Sequence, residues 1–362
     1  MAFEMPKYKH PDFNQELFIS APDAKFELVE KDGVAPENYH AMSIYPEYFK
    51  VDGKWILAEE TRMDCVPRLN NEGKIEIVEF RHLRVGDKIF VGRTEDASEG
   101  IYLYAKGFVS EEEEEGDVFA FRGGRSRETS QTMDYDKLYE LLRHEKDHGN
   151  VVWVMGPAAV FSKGARDSLT KLINCGYVDA FLGGNAVATH DLEAGVYNTA
   201  LGQDIYTQKS LKNGHYLHLD LLNKARKYGS IEKLIEEENI TSGLIQSCYK
   251  HNIPVVLGGS IRDDGPLPIV IGDVYDAQDA MRNQVRKATT VICLATQLHT
   301  IATGNMIPSF RMVDGEIRPV YFYTIDVSEF AVNKLSDRGS LEVVTMIANA
   351  QDFLQRLADN LD

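Results

Sequence analysis

Six apolar runs in this chain each end abruptly in glycine or in a polar side chain. VVWVM is followed by Gly156-Pro157, and VDAFL by Gly183-Gly184-Asn185-Ala186. IPVVL delivers Gly258-Gly259-Ser260 and then Arg262-Asp263-Asp264, which Gly-Pro-Leu-Pro closes off. TTVICLA leads into Thr296-Gln297-Leu298-His299, PVYFYTID ends in Asp326, and LEVVTMIA runs into Asn349-Ala350. Glycine pairs let backbone amides come close to a ligand, and helix N-termini offer partial positive charge to phosphates. A carboxylate placed like Asp326 suits the hydroxyls of an adenosine ribose. Together these favour a dinucleotide. The GxGxxG fingerprint is absent from every strand–helix junction, so the residues alone leave another small ligand open.

A second group of reactive side chains lies between the second and third runs: His190, Asp191, Glu193, His215, His218 and Asp220. The HxxH of HYLHLD and the nearby carboxylates suit a hydrolytic metal, a substrate contact, or caps and core hydrogen bonds. Neither HExxH nor a cysteine cluster is present, so no metal is expected. Arg122, Arg125 and Arg127 stand in a polar, glycine-bearing stretch. They read either as solvated surface or as a fork for a substrate carboxylate.

The elements that must position these groups follow from periodicity. From residue 150 onward, buried strands are expected at 151–157, 178–185, 253–260, 289–296, 319–326 and 341–349, with helices at 165–175, 276–288 and 328–337. Near-continuous apolar strands alternating with helices define an α/β protein with a Rossmann-like doubly wound parallel sheet. Ligands of such sheets bind beyond the carboxyl ends of the strands, where the polar residues above fall. Residues 1–120 read as a β-rich N-terminal domain, with an Asp-Gly hairpin in YFKVDGKWILAEE. Residues 121–149 read as a linker and helix, and 150–362 as the nucleotide-binding and catalytic domain.

The chain has 362 residues, with 39 Lys plus Arg against 56 Asp plus Glu, a net charge of −17. That balance argues against duplex nucleic acid and anionic membrane as partners. Cys65, Cys175, Cys248 and Cys293 form no CxxC pair and read as buried thiols of a reducing compartment. The N-terminus lacks a signal-peptide pattern and no apolar run reaches membrane-spanning length, so a cytoplasmic protein is expected.

The motifs GPAAVF (156–161), GYVDAFLGGNAVATHDLE (176–193), YNTALG (197–202), GSIRDDGPLP (259–268), ATQLHTIATGN (295–305) and DVSEFAVNKLSDRGS (326–340) carry a resemblance. They look like the archaeal-type ornithine cyclodeaminases, whose domain also forms the C-terminal half of cyanobacterial arginine dihydrolase/ornithine cyclodeaminases. The resemblance implies a tightly held NAD and conversion of L-ornithine to L-proline with release of ammonia. It implies cofactor contacts at Asn185, Ala186, Asp264, Thr296, Gln297, Leu298, His299, Asp326, Asn349 and Ala350. NAD would carry a hydride from the α-carbon and return it to the cyclic imine. Asp263 or Asp264 would handle the amine or its proton, with Glu193, His190 and His215 as further candidates. Arg262 would hold the substrate carboxylate or pair with an aspartate. A homo-oligomer is expected. An amino-acid dehydrogenase with net NADH output and a non-catalytic NAD sensor remain the alternatives.

Overall fold

The structure, a computed structural model, describes residues 3–109, 131–328, 331 and 339–362. Its N-terminal part carries β1 (Lys7–Tyr8), α1 (Glu16–Ser20), β2 (Lys25–Leu28), β3 (Glu47–Val51), β4 (Lys54–Leu57) and β5 (Cys65–Leu69). It continues through β6 (Ile75–Glu79), β7 (Lys88–Val91), β8 (Ile101–Leu103) and β9 (Phe108–Val109). One sheet has the order β2-β7-β5-β6 and another β4-β3-β8. The β3–β4 hairpin turns on Asp52 and Gly53, with φ of 49° and 76°, as an Asp-Gly pair permits. Strand β5 contains Pro67, which argues against a central strand. Its ladder with β7 begins only at Arg68, so the missing N–H of Pro67 costs no bond on that side.

The remaining elements begin with α2 (Gln131–His148), β10 (Val151–Met155), α3 (Lys163–Asn174), β11 (Ala180–Gly184) and α4 (Asn185–Tyr197). Next come β12 (Thr199–Ala200), β13 (Gln203–Asp204), α5 (His215–Tyr228), α6 (Ile231–Glu237), α7 (Leu244–Lys250), β14 (Val255–Gly258) and β15 (Val270–Ile271). The chain ends through α8 (Val274–Val285), β16 (Thr290–Leu294), α9 (Gln297–Met306), β17 (Phe310–Val313), β18 (Glu316–Pro319), β19 (Tyr321–Asp326), β20 (Glu342–Ile347) and α10 (Ala350–Asn360). The helix expected over 328–337 falls almost wholly outside the described residues.

Seven strands form one parallel sheet in the order β15-β14-β11-β10-β16-β19-β20. The chain runs outward from β10 to β15, then returns to β16 on the other side of β10. The order therefore reverses between β10 and β16, the switch point at which such sheets open a crevice. All five residues of β10 are buried. Trp153 and Met155 pack in the core beneath α2, α3 and α10, while Val152 and Val154 face Met281 and Val285 of α8. Coverage on both faces is why the strand is apolar at every position.

The two parts are clasped by charge. Arg62, 1% exposed, lies between Glu60 and Glu79, and Arg282 of α8 also pairs with Glu79 at 2.6 Å. The hairpin β17–β18 leaves the parallel-sheet unit and docks on the N-terminal part, where Ser309 N donates to the Thr61 carbonyl at 3.1 Å.

Candidate active site

Continuing each strand register by one residue sets Ile271, Gly258, Gly184, Gly156, Ala295, Asp326 and Ile347 in one row across the sheet. Three adjacent positions at its centre have no side chain. They are glycine for different reasons. A Cβ at Gly156 would stand 2.0 Å from the Ala295 carbonyl oxygen, so here the backbones of β10 and β16 themselves close together. Ala295 is left-handed, with φ of 53°, a conformation that a non-glycine residue adopts at some cost. At Gly184 a Cβ would press on the His299 ring, with Cε1 at 3.1 Å, and would make only ordinary contact, at 3.8 Å, with the Gly258 carbonyl oxygen. Gly156→Ala is expected to part the strand ends and lower stability by about 1–3 kcal/mol. Gly164→Ala, whose Cβ meets nothing closer than 3.9 Å, should change stability little. Equal thermal midpoints for the two variants would remove the packing argument.

Two helices start at this row, and neither has a side chain capping its first turn. Helix α4 begins after Gly184 on one face of the sheet; α9 begins after Thr296 on the other. By contrast, Ser162, Ser230, Asp273 and Asn349 cap α3, α6, α8 and α10. Thr296 is a good cap by residue type, yet its hydroxyl lies 3.4 Å from His299 Nδ1 instead. The free N–H groups of α4 and α9 flank the switch point and suit the pyrophosphate of a dinucleotide. Asp326 stands one strand beyond Ala295. One of its oxygens accepts from Ser328 N at 2.9 Å, and the other has no protein partner among the described residues. Burial lowers the pKa of His299, so its imidazole is neutral. These residues fit a dinucleotide.

The loop 259–268 is closed on itself. Asp263 accepts from Ser260 N at 2.9 Å, Asp263 N donates to the Ser260 carbonyl, and Arg262 N donates to Ser260 Oγ at 3.1 Å. Asn185 ties the loop to α4 by accepting from Leu267 N at 3.0 Å. Arg262 and Asp264 are exposed. The Arg226 guanidinium lies over Gly265, whose φ of 83° and lack of a Cβ allow that approach.

Along α4, Ala186, His190 and Glu193 share one face. Glu193 is fully buried, and its carboxylate accepts from Thr199 Oγ1 (2.8 Å), Leu201 N (2.9 Å) and Gly202 N (2.9 Å). Its Oε2 also lies 3.1 Å from His190 Nδ1. Burial alone would raise its pKa; the bonds from His190, Gly202 and Thr199 bring it below the ordinary value. Glu193 therefore orients His190 and has no surface left for a substrate.

Other candidates separate from this cluster. His215 is exposed on the first turn of α5, its ring tilted against that of Tyr216. Asp191 is a buried clamp bonded to Arg166 (2.9 Å) and to the first amides of α7. Asn349 caps α10, and Ala350 is buried behind it. Gln297 and Leu298 are exposed on the first turn of α9. Arg122, Arg125 and Arg127 lie outside the described residues. Sequence reasoning gave no role to Phe161, whose ring faces His190 at 5.4 Å, or to Arg166. Among the described residues no group of three or more His, Cys, Asp or Glu could hold a metal ion. A cavity of about 710 Å³ lined by Tyr8, His10, His144, His148 and Arg318 opens elsewhere and contains none of the strand-end residues.

A parallel sheet of this order, with two open helix N-termini at its reversal point, defines a Rossmann-type nucleotide-binding enzyme class. Residues 137–357 match the family described as arginine dihydrolase ArgZ-like, C-terminal, Rossmann fold. The chain is 34% identical over 348 residues to the ornithine cyclodeaminase of Methanocaldococcus jannaschii, spanning 94% of this chain and 78% of that one. It is 36% identical over 344 residues to the bifunctional arginine dihydrolase/ornithine cyclodeaminase AgrE of Nostoc, spanning 94% of this chain and 47% of that one. A solved LOR/SDH protein from Methanococcus maripaludis superposes with a TM-score of 0.82 at 32% identity, covering 94% and 98% of the two chains. The ternary complex of AgrE with ornithine and NAD+ gives 0.58 at 34%, covering 94% and 46%. The chain belongs to the ornithine cyclodeaminase family of the archaeal and ArgZ type.

Proposed function

We propose that this chain is an ornithine cyclodeaminase that converts L-ornithine to L-proline and ammonia with bound NAD. The observation that carries the reading is the pair of uncapped helix N-termini flanking the glycine row, with Asp326 one strand further on. NAD, when bound, supplies a hydride acceptor whose reduced form gives the hydride back, so the reaction is redox-neutral overall. The amides opening α4 (Asn185, Ala186) and α9 (Gln297, Leu298) receive the pyrophosphate, and Asp326 receives a ribose. Thr296, neutral His299, Asn349, Ala350 and Asp264 complete the cofactor contacts. Arg262, with Arg125 and Arg127, serves the substrate carboxylate. His190, held by Glu193, serves proton transfer; Asp263 shapes the loop, and His215 is a further candidate for the proton.

The division into 1–120, 121–149 and 150–362 serves this chemistry by leaving the strand-end row within one domain. A homo-oligomer is proposed on the strength of Ile261, Leu298 and Val327, large apolar side chains exposed along the same edge. A cytoplasmic setting is proposed from four free cysteines. No described helix is long and apolar enough to cross a membrane.

Two measurements test the reading. Purified protein given L-ornithine and NAD should release equal proline and ammonia without lasting NADH; NADH accumulating in step with turnover, or no ammonia at all, overturns it. Asp326→Ala should weaken NAD binding by about 1.5–3 kcal/mol, or roughly ten- to hundred-fold in a calorimetric titration.

A further inference from the structure

Helix α5 packs across α4 and sets a second imidazole beside His190. The ring centre of His218 lies 6.3 Å from that of His190, with the planes inclined at 64°. His218 Nδ1 is buried and has no hydrogen-bond partner among the described residues. Buried polar atoms are nearly always paired, so an orphan one beside a candidate site marks a place for a ligand atom. The two rings do not hydrogen-bond to each other. Imidazoles that share one bridging nitrogen sit with centres roughly 6–8 Å apart, so the gap accepts a single polar atom. One ring is anchored through Glu193 and backed by Phe161, an apolar surface for methylenes.

We propose that His190 and His218 together receive the side-chain amine of the substrate, with His218 the base that removes its proton. The inference rests on the ornithine cyclodeaminase reading and names the residue that makes cyclisation possible. A side-chain ammonium has no lone pair and cannot attack the α-imine. Once its proton passes to His218, the nitrogen lone pair forms the bond to the α-carbon. The π pair of the imine moves to the α-nitrogen, and the imidazolium returns the proton there, giving an amino group beside a ring nitrogen that still carries two hydrogens and a positive charge. His218 then moves one of those ring protons to the amino group; the freed ring lone pair expels ammonia, the ring is left as a cyclic iminium, and His218 ends the step neutral. The carboxylate of Glu193 behind His190 favours a cation entering the gap. The imidazole pair holds the amine by hydrogen bonds without fixing it as an ammonium.

The test uses the NAD-loaded full chain with L-ornithine, comparing wild type, His218→Ala and His218→Asn at equal thermal midpoints. Proline formation should fall at least a hundredfold in both variants. Reduced nicotinamide, absent from the wild-type time course, should build up by absorbance, because hydride removal precedes the blocked step. Calorimetric affinity for L-ornithine should drop about tenfold, and added imidazole should restore part of the rate to His218→Ala. Variants that match wild type overturn the inference. So do variants that lose nicotinamide reduction and proline together without imidazole rescue, which is the signature of a scaffold role. If wild type itself makes no proline from ornithine, the proposed function fails first and takes this step with it.

Discussion

Replacing Asp191 by alanine is expected to cost about 3–5 kcal/mol of stability, among the largest losses for one side chain in this protein. Asp191 is 1% exposed and Arg166 3%. Arg166 Nε donates to Asp191 Oδ1 at 2.9 Å, and its Nη2 donates to the carbonyls of Asp191 and Ser242 at 3.1 Å each. The same carboxylate accepts from Leu244 N (3.1 Å) and Ile245 N (2.8 Å), the opening amides of α7. That helix has glycine at its cap position, so Asp191 of α4 does the capping from a distance. Gly243, with φ of 114°, permits this because a Cβ there would stand 2.3 Å from Arg166 Nη2. Alanine at 191 strands a buried guanidinium and two N–H groups together. The denaturant midpoint at unchanged slope measures the loss. The double variant Arg166→Met, Asp191→Leu should be less damaging than Asp191→Ala, since no lone charge is left behind. A single variant within about 0.5 kcal/mol of wild type would refute the clamp.

The parallel sheet was legible because strands covered on both faces are near-continuously apolar: β10, β11 and β14 carry no polar side chain, and β16, β19 and β20 depart only at Thr290, Thr324, Asp326, Glu342 and Thr345. The strand-end residues were legible for the same reason: the apolar run breaks off at a known place in the fold. What escaped was set by contacts far apart in sequence. Asp191 looked like one more carboxylate near histidines; its partner Arg166 stands 25 residues upstream, and no spacing rule links them. Strand β15 has two residues and no periodicity to show. Strand β5 hid behind Pro67, whose position relative to β7 only the register reveals. Threonine is a good cap by residue type, and nothing in the sequence shows that Thr296 leaves α9 uncapped. The structure sends its hydroxyl toward His299 and leaves the helix N-terminus open, and that opening became the strongest feature of the site.

Glu193→Gln is expected to lower kcat about 10²–10³-fold and to raise KM modestly, because it disarms His190, one of the two imidazoles proposed to receive the substrate amine. A glutamine fills the same space but replaces one carboxylate oxygen by an NH2 group. Every neighbour of that carboxylate donates: Thr199 Oγ1, the amides of Leu201 and Gly202, and the His190 ring. At least one donor then faces another donor in a fully buried place, at a cost of about 1–3 kcal/mol. Leu201 N also lies 3.3 Å from His190 Nδ1, and its backbone is held at a φ of 49°, so a shift there would release the His190 ring. The pH dependence gives a separate check. A carboxyl whose folded pKa is depressed adds stability above its unfolded pKa, and that stability is lost as pH falls through the folded value. Glu193 is such a group, so wild type should lose stability between about pH 5 and its lowered folded pKa. Glu193→Gln should show a shallower loss over the same window, measured as denaturant midpoints at stepped pH. His190→Asn should match it in kcat while keeping more of the wild-type acid slope, since the bonds from Gly202 and Thr199 remain. A Glu193→Gln enzyme with wild-type kcat and wild-type acid slope would mean that this carboxylate neither orients His190 nor lies below its ordinary pKa.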